Sequence, residues 1–371
     1  MHDVLAHMHV PLNDLRRNNG AHAADLRAAF DQVVGAGSFI LGAQVAAFER
    51  EFAAFCGVAH CVGLASGSDA LELALRAIGV STDDEVITVA NAGMYATLAI
   101  RAVGAHPRYV DVDDETLTLA AAELDRSLMS RTRAIIVTHL YGRLAPMEVI
   151  GRLAGERRIP VIEDCAQAHG ARHGNVRAGS SGAIGCFSFY PTKNLGALGD
   201  AGAITTNDAN VAARVRALRQ YGWDQKYRVT LDGGRNSRLD EIQAAMLRVR
   251  LPGLEGENAA RRRIVRAYAE RIRHPVIRVP AAPDEASAAH LAVVRSSRRD
   301  SLRQYLRTRD IGTDVHYPIP DHWQPVARDI DAVSLPVTER ACAEVLSLPC
   351  FPAMTADEVD YVVDACNAWA P

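Results

Sequence analysis

The feature that most constrains the fold is an alternation of short apolar runs with amphipathic helical patterns between about residues 60 and 220. Parallel strands that are buried on both faces appear in a sequence as continuous apolar runs, and helices connect them. The alternation therefore predicts an α/β protein with a mostly parallel central sheet covered by helices. The predicted strands are His60–Leu64, Glu85–Val89, Arg108–Val112, Ala134–Thr138, Pro160–Glu163, Ile184–Phe189 and Ala203–Thr205.

Helical patterns precede these runs and lie between many of them. The first covers about Ala21 to Val34, before the first predicted strand. The helices predicted between or after strands are Asp69–Ile78, Tyr95–Val103, Met147–Glu156 and Ala209–Gln220.

The pattern of predicted elements changes at about Leu239. A long helical stretch begins there, followed by a mixed segment that ends in the predicted helix Ala356–Ala368. We therefore predict a domain boundary near Pro252. The large domain covers residues 1–251, and a smaller C-terminal α+β domain covers residues 252–371.

Composition and charge narrow the class of protein. The chain has 371 residues, 49% of them hydrophobic, which is enough for a large core. A net charge of -3 provides no basic field for nucleic acid or for an anionic membrane. No stretch is apolar for long enough to span a bilayer, and the start, MHDVLAHMHV, lacks the pattern of a signal peptide. The seven cysteines form no CxxC pair, so we expect reduced, mostly buried thiols in a cytoplasmic protein.

Ligands of open α/β sheets bind at the carboxyl ends of strands, and the first polar segment at such a position is SGSDALELAL, Ser66 to Leu75. Ser-Gly-Ser at the start of a helix leaves backbone N–H groups unpaired. Together with the helix dipole, these groups form an anion site suited to a phosphate. The simpler interpretation is that Ser68 only caps the helix.

The second segment, EDCAQAHG, runs from Glu163, the last residue of a predicted strand, to Gly170. The acidic pair at its start would cap a following helix, bind a metal or accompany a buried cation. No cluster with metal-ligand spacing follows, so we predict no metal site. Asp164 would also serve as a fixed negative charge facing a protonated ring nitrogen, which makes such a ring an electron sink.

The third segment runs from Cys186 to Asp208 and contains a single lysine, Lys193, among Pro, Thr, Asn and Gly residues. Most lysines are exposed and have no special role. This one is preceded by Phe189 and Tyr190, and a lysine desolvated in such a pocket has a lowered pKa. A lysine of this kind is the nucleophile that forms a Schiff base with a cofactor aldehyde.

In this order and spacing, the motifs resemble those of the DegT-type nucleotide-sugar aminotransferases, a family of fold type I pyridoxal-phosphate enzymes. The similarity covers nearly the whole chain. Its segments are GSFILGAQVAAFEREFAAFCG, SGSDALELALRAIGV, HLYG, EDCAQAHGA, SFYPTKNLGALGDAGAI, NSRLDEIQAAML and HYPIP. Three segments, SFYPTKNLG, LRQYGWDQKY and HYPIPDH, are most similar to members that act on 3-keto sugars.

The resemblance implies pyridoxal 5'-phosphate as the cofactor and gives roles to matching residues. Lys193 would be the Schiff-base lysine and proton carrier, Asp164 would pair with the pyridine nitrogen, and Gln167 would bond the ring hydroxyl. The residues implied for the cofactor phosphate are Gly67, Ser68 and Ser188, with Asn236 reaching it from the partner subunit of a homodimer with shared sites. The residues implied for the sugar nucleotide are Tyr190, Tyr221, His316, Tyr317 and His322.

Some of these positions also have a structural interpretation. Ser237 with Asp240 resembles a capping box that opens a helix at Leu239–Val249. His316 and Tyr317 lie beside two prolines and would stiffen a loop.

The chain departs from the family pattern at two places. Met94 falls where relatives carry an aromatic against the cofactor ring, and Met packs on a ring with less geometric control. The segment Ala289–Ala292 falls where relatives often carry bulky aromatics.

The sequence therefore predicts an aminotransferase that moves an amino group from an amino acid, glutamate, to a nucleotide-linked keto-deoxysugar, a 3-keto-6-deoxyhexose. The alternatives are a 4-keto sugar nucleotide or a cyclitol ketone as acceptor. The related dehydratases carry histidine in place of the lysine, and the lysine here opposes that chemistry. A non-catalytic regulatory homologue is the alternative from another class of protein.

Overall fold

The computed structural model describes residues 8–328 and 333–371. Most of the N-terminal segment MHDVLAHMHV, residues 1–7, lies outside the described residues. The strands are β1 (His60–Leu64), β2 (Glu85–Thr88), β3 (His106–Tyr109), β4 (Thr132–Thr138), β5 (Val161–Asp164), β6 (Arg172–His173), β7 (Val176–Arg177), β8 (Ile184–Ser188), β9 (Gly202–Thr206), β10 (Trp223–Gln225), β11 (Arg228–Val229), β12 (Ala292–Arg295) and β13 (Val345–Leu348).

Helices surround these strands and begin before the first of them. They are α1 (Leu15–Gly20), α2 (Ala23–Ala36), α3 (Ala43–Cys56), α4 (Gly67–Ala77), α5 (Tyr95–Ala102), α6 (Ala121–Ser127), α7 (Met147–Glu156), α8 (Ala209–Leu218), α9 (Glu241–Arg250), α10 (Leu254–Arg271), α11 (Arg299–Thr308), α12 (Pro336–Glu344) and α13 (Ala356–Ala368).

The central sheet has seven strands in the order β1-β9-β8-β5-β4-β2-β3. The pairs from β8 through β5, β4 and β2 to β3 are parallel. Only β9 runs in the opposite direction, because it is antiparallel to both β8 and β1. The carboxyl ends of all the other strands therefore meet at one edge of the sheet, where ligands of open α/β sheets bind.

Both faces of the sheet are covered, as predicted. In β4, Ala134 and Ile136 pack into a core shared with α4, α5 and α8. The alternate residues Ile135 and Val137 pack into a second core shared with α7 and α10. Because successive side chains of a strand point to opposite faces, an apolar run of this kind needs a helix layer on each side.

All seven predicted strands are present, and the largest shift in position is at β3. The prediction placed this strand at Arg108–Val112, whereas the ladder covers His106–Tyr109. Val110 and Val112 remain buried, but they continue the apolar run beyond the strand. Apolar content reports burial rather than strand pairing, so the pattern placed the strand end too late.

The C-terminal part contains α10 to α13 and the antiparallel pair β12 and β13. A short 3₁₀ turn, Leu251–Gly253, separates α9 from α10 at the predicted boundary. The N-terminal segment also packs here, since the amide of Val10 donates to Asp310 and the amide of Gly312 donates to Val10. The division into residues 1–251 and 252–371 remains a prediction.

Two expectations from composition concern membranes and thiols. All seven cysteines are free and buried, which confirms the expectation of buried thiols. Over the described ranges, none of the helices combines the length and the apolar character needed to cross a bilayer.

A buried carboxylate ties α9 to α3. Glu241 opens α9, and its Oε1 accepts hydrogen bonds from the amides of Gly42 (2.9 Å) and Val45 (2.8 Å). Its Oε2 accepts a third from the amide of Gln44, at 2.9 Å. These amides lie at the start of α3, where a helix leaves its N–H groups unpaired and favours a negative charge.

We expect Glu241→Ala to lower the free energy of unfolding by about 3 kcal/mol, because three backbone amides, one buried and two partly buried, lose a charged acceptor. Urea denaturation followed by circular dichroism measures this change. Asp240→Ala is the matched control, since Asp240 is exposed and makes no side-chain capping bond. Equal stability of the two variants would contradict the role of Glu241.

Candidate active site

A cavity of about 730 Å³ opens at the carboxyl edge of the sheet. Segments that follow β1, β5 and β8 form one wall, and the C-terminal part forms another. The structure thus brings together motifs that lie far apart in the sequence. The predicted site residues that line the cavity are Gly67, Ser68, Asp164, Gln167, Ser188, Tyr190, Lys193, His316 and Tyr317.

Lys193 lies in a tight turn after β8, where its amide donates to the carbonyl of Tyr190 at 2.8 Å. Burial disfavours the charged amine and lowers the pKa of Lys193 from 10.5 to about 8, although the carboxylate of Asp164 acts in the opposite direction. A substantial fraction of neutral amine is therefore present near physiological pH. This is the property that a lysine needs to attack an aldehyde.

Asp164 is the last residue of β5 and is buried at the cavity wall. Its Oδ1 accepts from the amide of Ala166 at 3.1 Å, and its Oδ2 lies 3.4 Å from the hydroxyl of Thr138. Burial raises the pKa of Asp164, while the Ala166 amide and the charge of Lys193 act in the opposite direction. Residues 165–170 form turns rather than a helix, so the interpretation of Asp164 as a helix cap is wrong.

The neighbouring Glu163 has a structural role. Its carboxylate is fully buried and accepts hydrogen bonds from the amides of Gly179, Ser181 and Gly182, at 3.0, 2.8 and 2.7 Å. The ring of His139 adds a contact of 2.9 Å. Burial alone would raise the pKa of Glu163, but the bonds from His139 and from the amides outweigh it and hold the pKa low.

His139 and Glu163 also form, together with Cys165, a buried group of metal-ligand side chains within 4.8 Å of one another. Both ring nitrogens of His139 are engaged, because Nδ1 accepts from the amide of Ala145 at 3.1 Å. Hydrogen bonds within the protein thus account for the His139–Glu163 pair.

The start of α4, where we predict an anion site, lines the cavity. Ser66 is the N-cap and accepts from the amide of Asp69 at 3.1 Å, so the interpretation of Ser68 as the cap is wrong. Gly67 lies against Ser188, and a Cβ at Gly67 would come within 2.5 Å of the Cβ of Ser188. Glycine therefore allows the helix start and the end of β8 to meet, with the unpaired amides of the first helical turn beside the cavity.

Ser237 supports the same helix from outside the cavity. Its hydroxyl donates to Asp69 at 2.7 Å and accepts from the amide of Ala65 at 3.2 Å. The predicted capping box of Ser237 with Asp240 is therefore wrong. Helix α9 begins only at Glu241, and the side chain of Ser237 finds its partner on α4 instead.

Gln167 has a fixed orientation at the cavity wall. Its Oε1 accepts from the amide of Tyr141 at 2.6 Å, and its Nε2 donates to the hydroxyl of Tyr317 at 3.3 Å. Burial raises the pKa of Tyr317 well above its ordinary value, so this phenol stays protonated. The ring of His316 contacts the hydroxyl of Ser347 at 2.9 Å.

Four predicted site residues do not line this cavity. Asn236 is exposed, and Tyr221 packs on Trp223 with 40% of its surface accessible. The side chain of His322 is 5% exposed, with Nε2 3.2 Å from a carboxylate oxygen of Glu339. Their proposed contacts with ligand remain predictions.

Met94 is the fourth of these residues. It has a positive φ of 72° at the start of α5, its side chain is buried, and its amide donates to Asp321 at 2.9 Å. Its neighbour Tyr95 lines the cavity instead and makes an edge contact with Tyr317. The assignment of Met94 to the cofactor ring stays a prediction.

Sequence reasoning did not assign Tyr95 or His290, both of which line the cavity. The segments that contain them were recognised only as departures from the family pattern. Each departure therefore marked a wall of the site without indicating which side chain faces the ligand.

Comparison with known proteins agrees with this architecture. A model of the DegT/DnrJ/EryC1/StrS aminotransferase family matches residues 21–367. The chain is 45% identical over 361 residues to a dTDP-3-amino-3,6-dideoxy-alpha-D-galactopyranose transaminase of Aneurinibacillus thermoaerophilus, covering 97% of this chain and 99% of the relative. The chain therefore belongs to the DegT/DnrJ/EryC1/StrS aminotransferase family.

Solved structures give the same result. DesV of S. venezuelae in complex with a ketimine intermediate matches with a TM-score of 0.94 at 40% identity, covering 97% of this chain and 98% of that one. Ntda from Bacillus subtilis with the bound cofactor PMP matches with a TM-score of 0.90 at 28% identity, covering 96% and 84%. The fold is that of a fold type I aminotransferase, as predicted.

The protein is a pyridoxal-phosphate-dependent aminotransferase. The cavity offers what this cofactor requires, namely a desolvated amine at Lys193, a buried carboxylate at Asp164 and backbone amides at the start of α4. The chemistry of these groups thus fits an aldehyde, a ring nitrogen and a phosphate.

We expect the Lys193 amine of cofactor-free protein to react with acetic anhydride with a midpoint near pH 8, because burial lowers its pKa to about 8. The fraction of reactive free amine should rise as the pH rises through that value. Peptide mapping is simple, since Lys193 and Lys226 are the only lysines of the chain. In urea, the midpoint for Lys193 should return to about 10.5. A folded-state midpoint near the urea value would contradict burial of the amine.

Proposed function

We propose that the protein transfers an amino group from glutamate to the keto carbon of a nucleotide-linked 3-keto-6-deoxyhexose. The observation that carries this proposal is the single cavity in which Lys193, Asp164 and the start of α4 meet. The 45% identity to a 3-amino-3,6-dideoxyhexose transaminase, over nearly the full length of both chains, supports the choice of sugar.

In this proposal Lys193 has two tasks at one atom, Nζ. Nζ would hold the cofactor aldehyde, and as a free amine it would carry a proton. A lysine whose pKa is about 8 both accepts and returns a proton at neutral pH with little cost. Bound pyridoxal phosphate supplies the aldehyde that carries the amino group and the ring that withdraws electrons from the substrate.

The other polar residues hold and orient this group. Asp164 would face the ring nitrogen with a fixed negative charge, held in place by the amide of Ala166. Gln167 would direct an N–H toward the ring hydroxyl, because its oxygen is already occupied by Tyr141. The amides of Gly67 and Ser68, with the hydroxyl of Ser188, would bind the phosphate.

The sugar nucleotide would enter from the open side of the cavity. Tyr190 lines it with half of its surface accessible, and His316 and Tyr317 form the opposite wall. These side chains offer hydroxyl and imidazole groups, which suit the hydroxyls of a hexose. We place Tyr221 and His322 in the same role as part of the proposal.

We further propose that two copies of the chain form a cytoplasmic homodimer with shared sites. Asn236 and Tyr221 are exposed and outside the cavity of their own chain, which is the placement expected of residues that serve a partner. Exposed apolar side chains offer surface for that contact, among them Phe30, Val34, Phe39, Ile40 and Leu198. Reduced, buried thiols support the cytoplasmic location.

We expect purified protein with glutamate to aminate a 3-keto-6-deoxyhexose nucleotide in preference to its 4-keto isomer and to a cyclitol ketone. Mass spectrometry of the sugar product measures the transfer, and Lys193→Ala provides the inactive control. Preferred amination of the 4-keto sugar or of the cyclitol would overturn the choice of substrate. Failure with every acceptor would favour the regulatory homologue.

We expect Asp164→Asn to lower kcat about a hundredfold, since loss of a well-placed charge costs roughly 3 kcal/mol in the transition state. Cofactor binding should fall less, because Lys193 and the anion site remain. Stopped-flow kinetics and the visible absorbance of the protein separate the two effects.

The control for that experiment is Asp208→Asn. Asp208 caps α8 by accepting from the amides of Asn210 and Val211, and asparagine is an equally good cap. An Asp164→Asn enzyme that turns over as fast as Asp208→Asn would remove Asp164 from the mechanism.

We expect a mixture of Lys193→Ala and Asn236→Ala proteins to recover activity after subunit exchange. Each variant alone should be impaired, because it lacks either the amine or the group that reaches the partner's phosphate. A mixed dimer has one site with both defects and one intact site. Absence of recovery, with exchange verified by native mass spectrometry, would show that the sites are not shared.

A further inference from the structure

His290 lines the active-site cavity just before β12, and none of the roles above involves it. Its side chain is buried, and its Nδ1 lies 2.8 Å from Oδ1 of Asn194. Asn194 directly follows Lys193 in the chain. The contact therefore joins the C-terminal part of the protein to the loop that carries the reactive amine.

The direction of this hydrogen bond is determined by its surroundings. Nδ2 of Asn194 donates to Oδ1 of Asn258 at 2.7 Å and to the carbonyl of Ala288 at 2.8 Å. Nδ2 of Asn258 in turn donates to the carbonyl of His169 at 2.7 Å. With both amide hydrogens of Asn194 engaged, its Oδ1 is the acceptor and Nδ1 of His290 carries the hydrogen.

The imidazole also stays neutral. Burial, followed by the charges of Lys193 and Arg261, holds the pKa of His290 well below its ordinary value. The backbone of His290 is fixed as well, since Nη1 of Arg261 donates to its carbonyl at 3.3 Å and to that of Cys350 at 2.6 Å. The donor to Asn194 is thus present across the working pH range and is held by a rigid support.

We propose that His290 is a positioning residue for transamination, which acts by donating a hydrogen bond to Asn194 and so fixes the loop that directs Lys193 into the cavity. The inference rests on the proposed role of Lys193. Without this bond the loop gains freedom, and Nζ spends time away from the reacting centre and nearer to water. Misplacement of a reacting group costs rate, because catalysis depends on orientation.

The test compares two amides that differ by one methylene. In His290→Asn the side-chain NH₂ takes the place of Nδ1 and retains the bond to Asn194. In His290→Gln the amide reaches the place of Nε2 instead and loses that bond. We expect His290→Asn to retain nearly the parent kcat, and His290→Gln to lose roughly tenfold, as for one hydrogen bond. KM for the sugar nucleotide should change little in either variant.

A second readout does not depend on turnover. The acetic anhydride titration of Lys193 in cofactor-free protein should keep its midpoint near pH 8 in His290→Asn and move toward the ordinary value of 10.5 in His290→Gln. Asn194→Ala removes this bond together with the bonds to Asn258 and Ala288, so its shift should be at least as large. The double variant Asn194→Ala/His290→Gln should behave as Asn194→Ala alone, because His290→Gln then has no bond to Asn194 left to remove. Equal melting temperatures of His290→Asn and His290→Gln establish that both are folded.

Equal titration midpoints and equal kcat for the two His290 variants would overturn the inference. Additive effects of the Asn194 and His290 substitutions would overturn it too, because His290 would then not act through Asn194. A shift of the Lys193 midpoint with no change in kcat would also overturn the inference, because the contact would then hold the loop without serving transamination. Failure of the proposed function is distinct, since the parent enzyme would then aminate none of the keto acceptors.

Discussion

The burial of the Lys193 amine near the carboxylate of Asp164 is the constraint on which the rest of the structure depends. Burial lowers the pKa of the amine to about 8 and raises that of the carboxyl group. The pKa of each group therefore differs from its ordinary value in water. Burying two ionisable groups costs free energy, so a rigid fold is needed to keep them in place. The parallel sheet provides that support, because β5 ends at Asp164 and β8 ends just before the lysine loop.

Hydrogen bonds fix the orientation of the polar side chains around Lys193 and Asp164. Glu163 accepts three amides and a histidine, Gln167 is oriented by Tyr141, and Asn194 has its oxygen and both amide hydrogens engaged. Buried hydrogen bonds are strong in a low dielectric, and an unpaired partner is costly. The neighbours of the reactive groups therefore act as a fixed frame. Glu163, for which the sequence left open a helix cap, a metal ligand or a partner of a buried cation, belongs to this frame.

Predictions from the sequence were accurate where a pattern and its physical cause lie in the same segment of the chain. Apolar periodicity located each strand of the sheet, since burial on both faces selects continuous apolar runs. Predictions failed where a side chain bonds to a distant segment. Ser237 has the spacing of a capping box with Asp240, yet its hydroxyl bonds to Asp69 on another helix. Spacing along the chain carries no information about a partner of that kind, and only the packing of α4 beside the segment before α9 selects it.

By itself the sequence determined the class of fold, the family and the position after β8 of a lysine that lines the cavity, because apolar periodicity and motif order are properties of the chain. Only the tertiary structure decided that Tyr95 rather than Met94 faces the cavity. It likewise decided that Ser66 caps α4, and that His290 meets Asn194 across 96 residues of chain. Each of these outcomes depends on the direction of a side chain relative to a distant segment. Directions of this kind are set when the sheet edge and the C-terminal part close around one cavity and every buried polar atom competes for a partner.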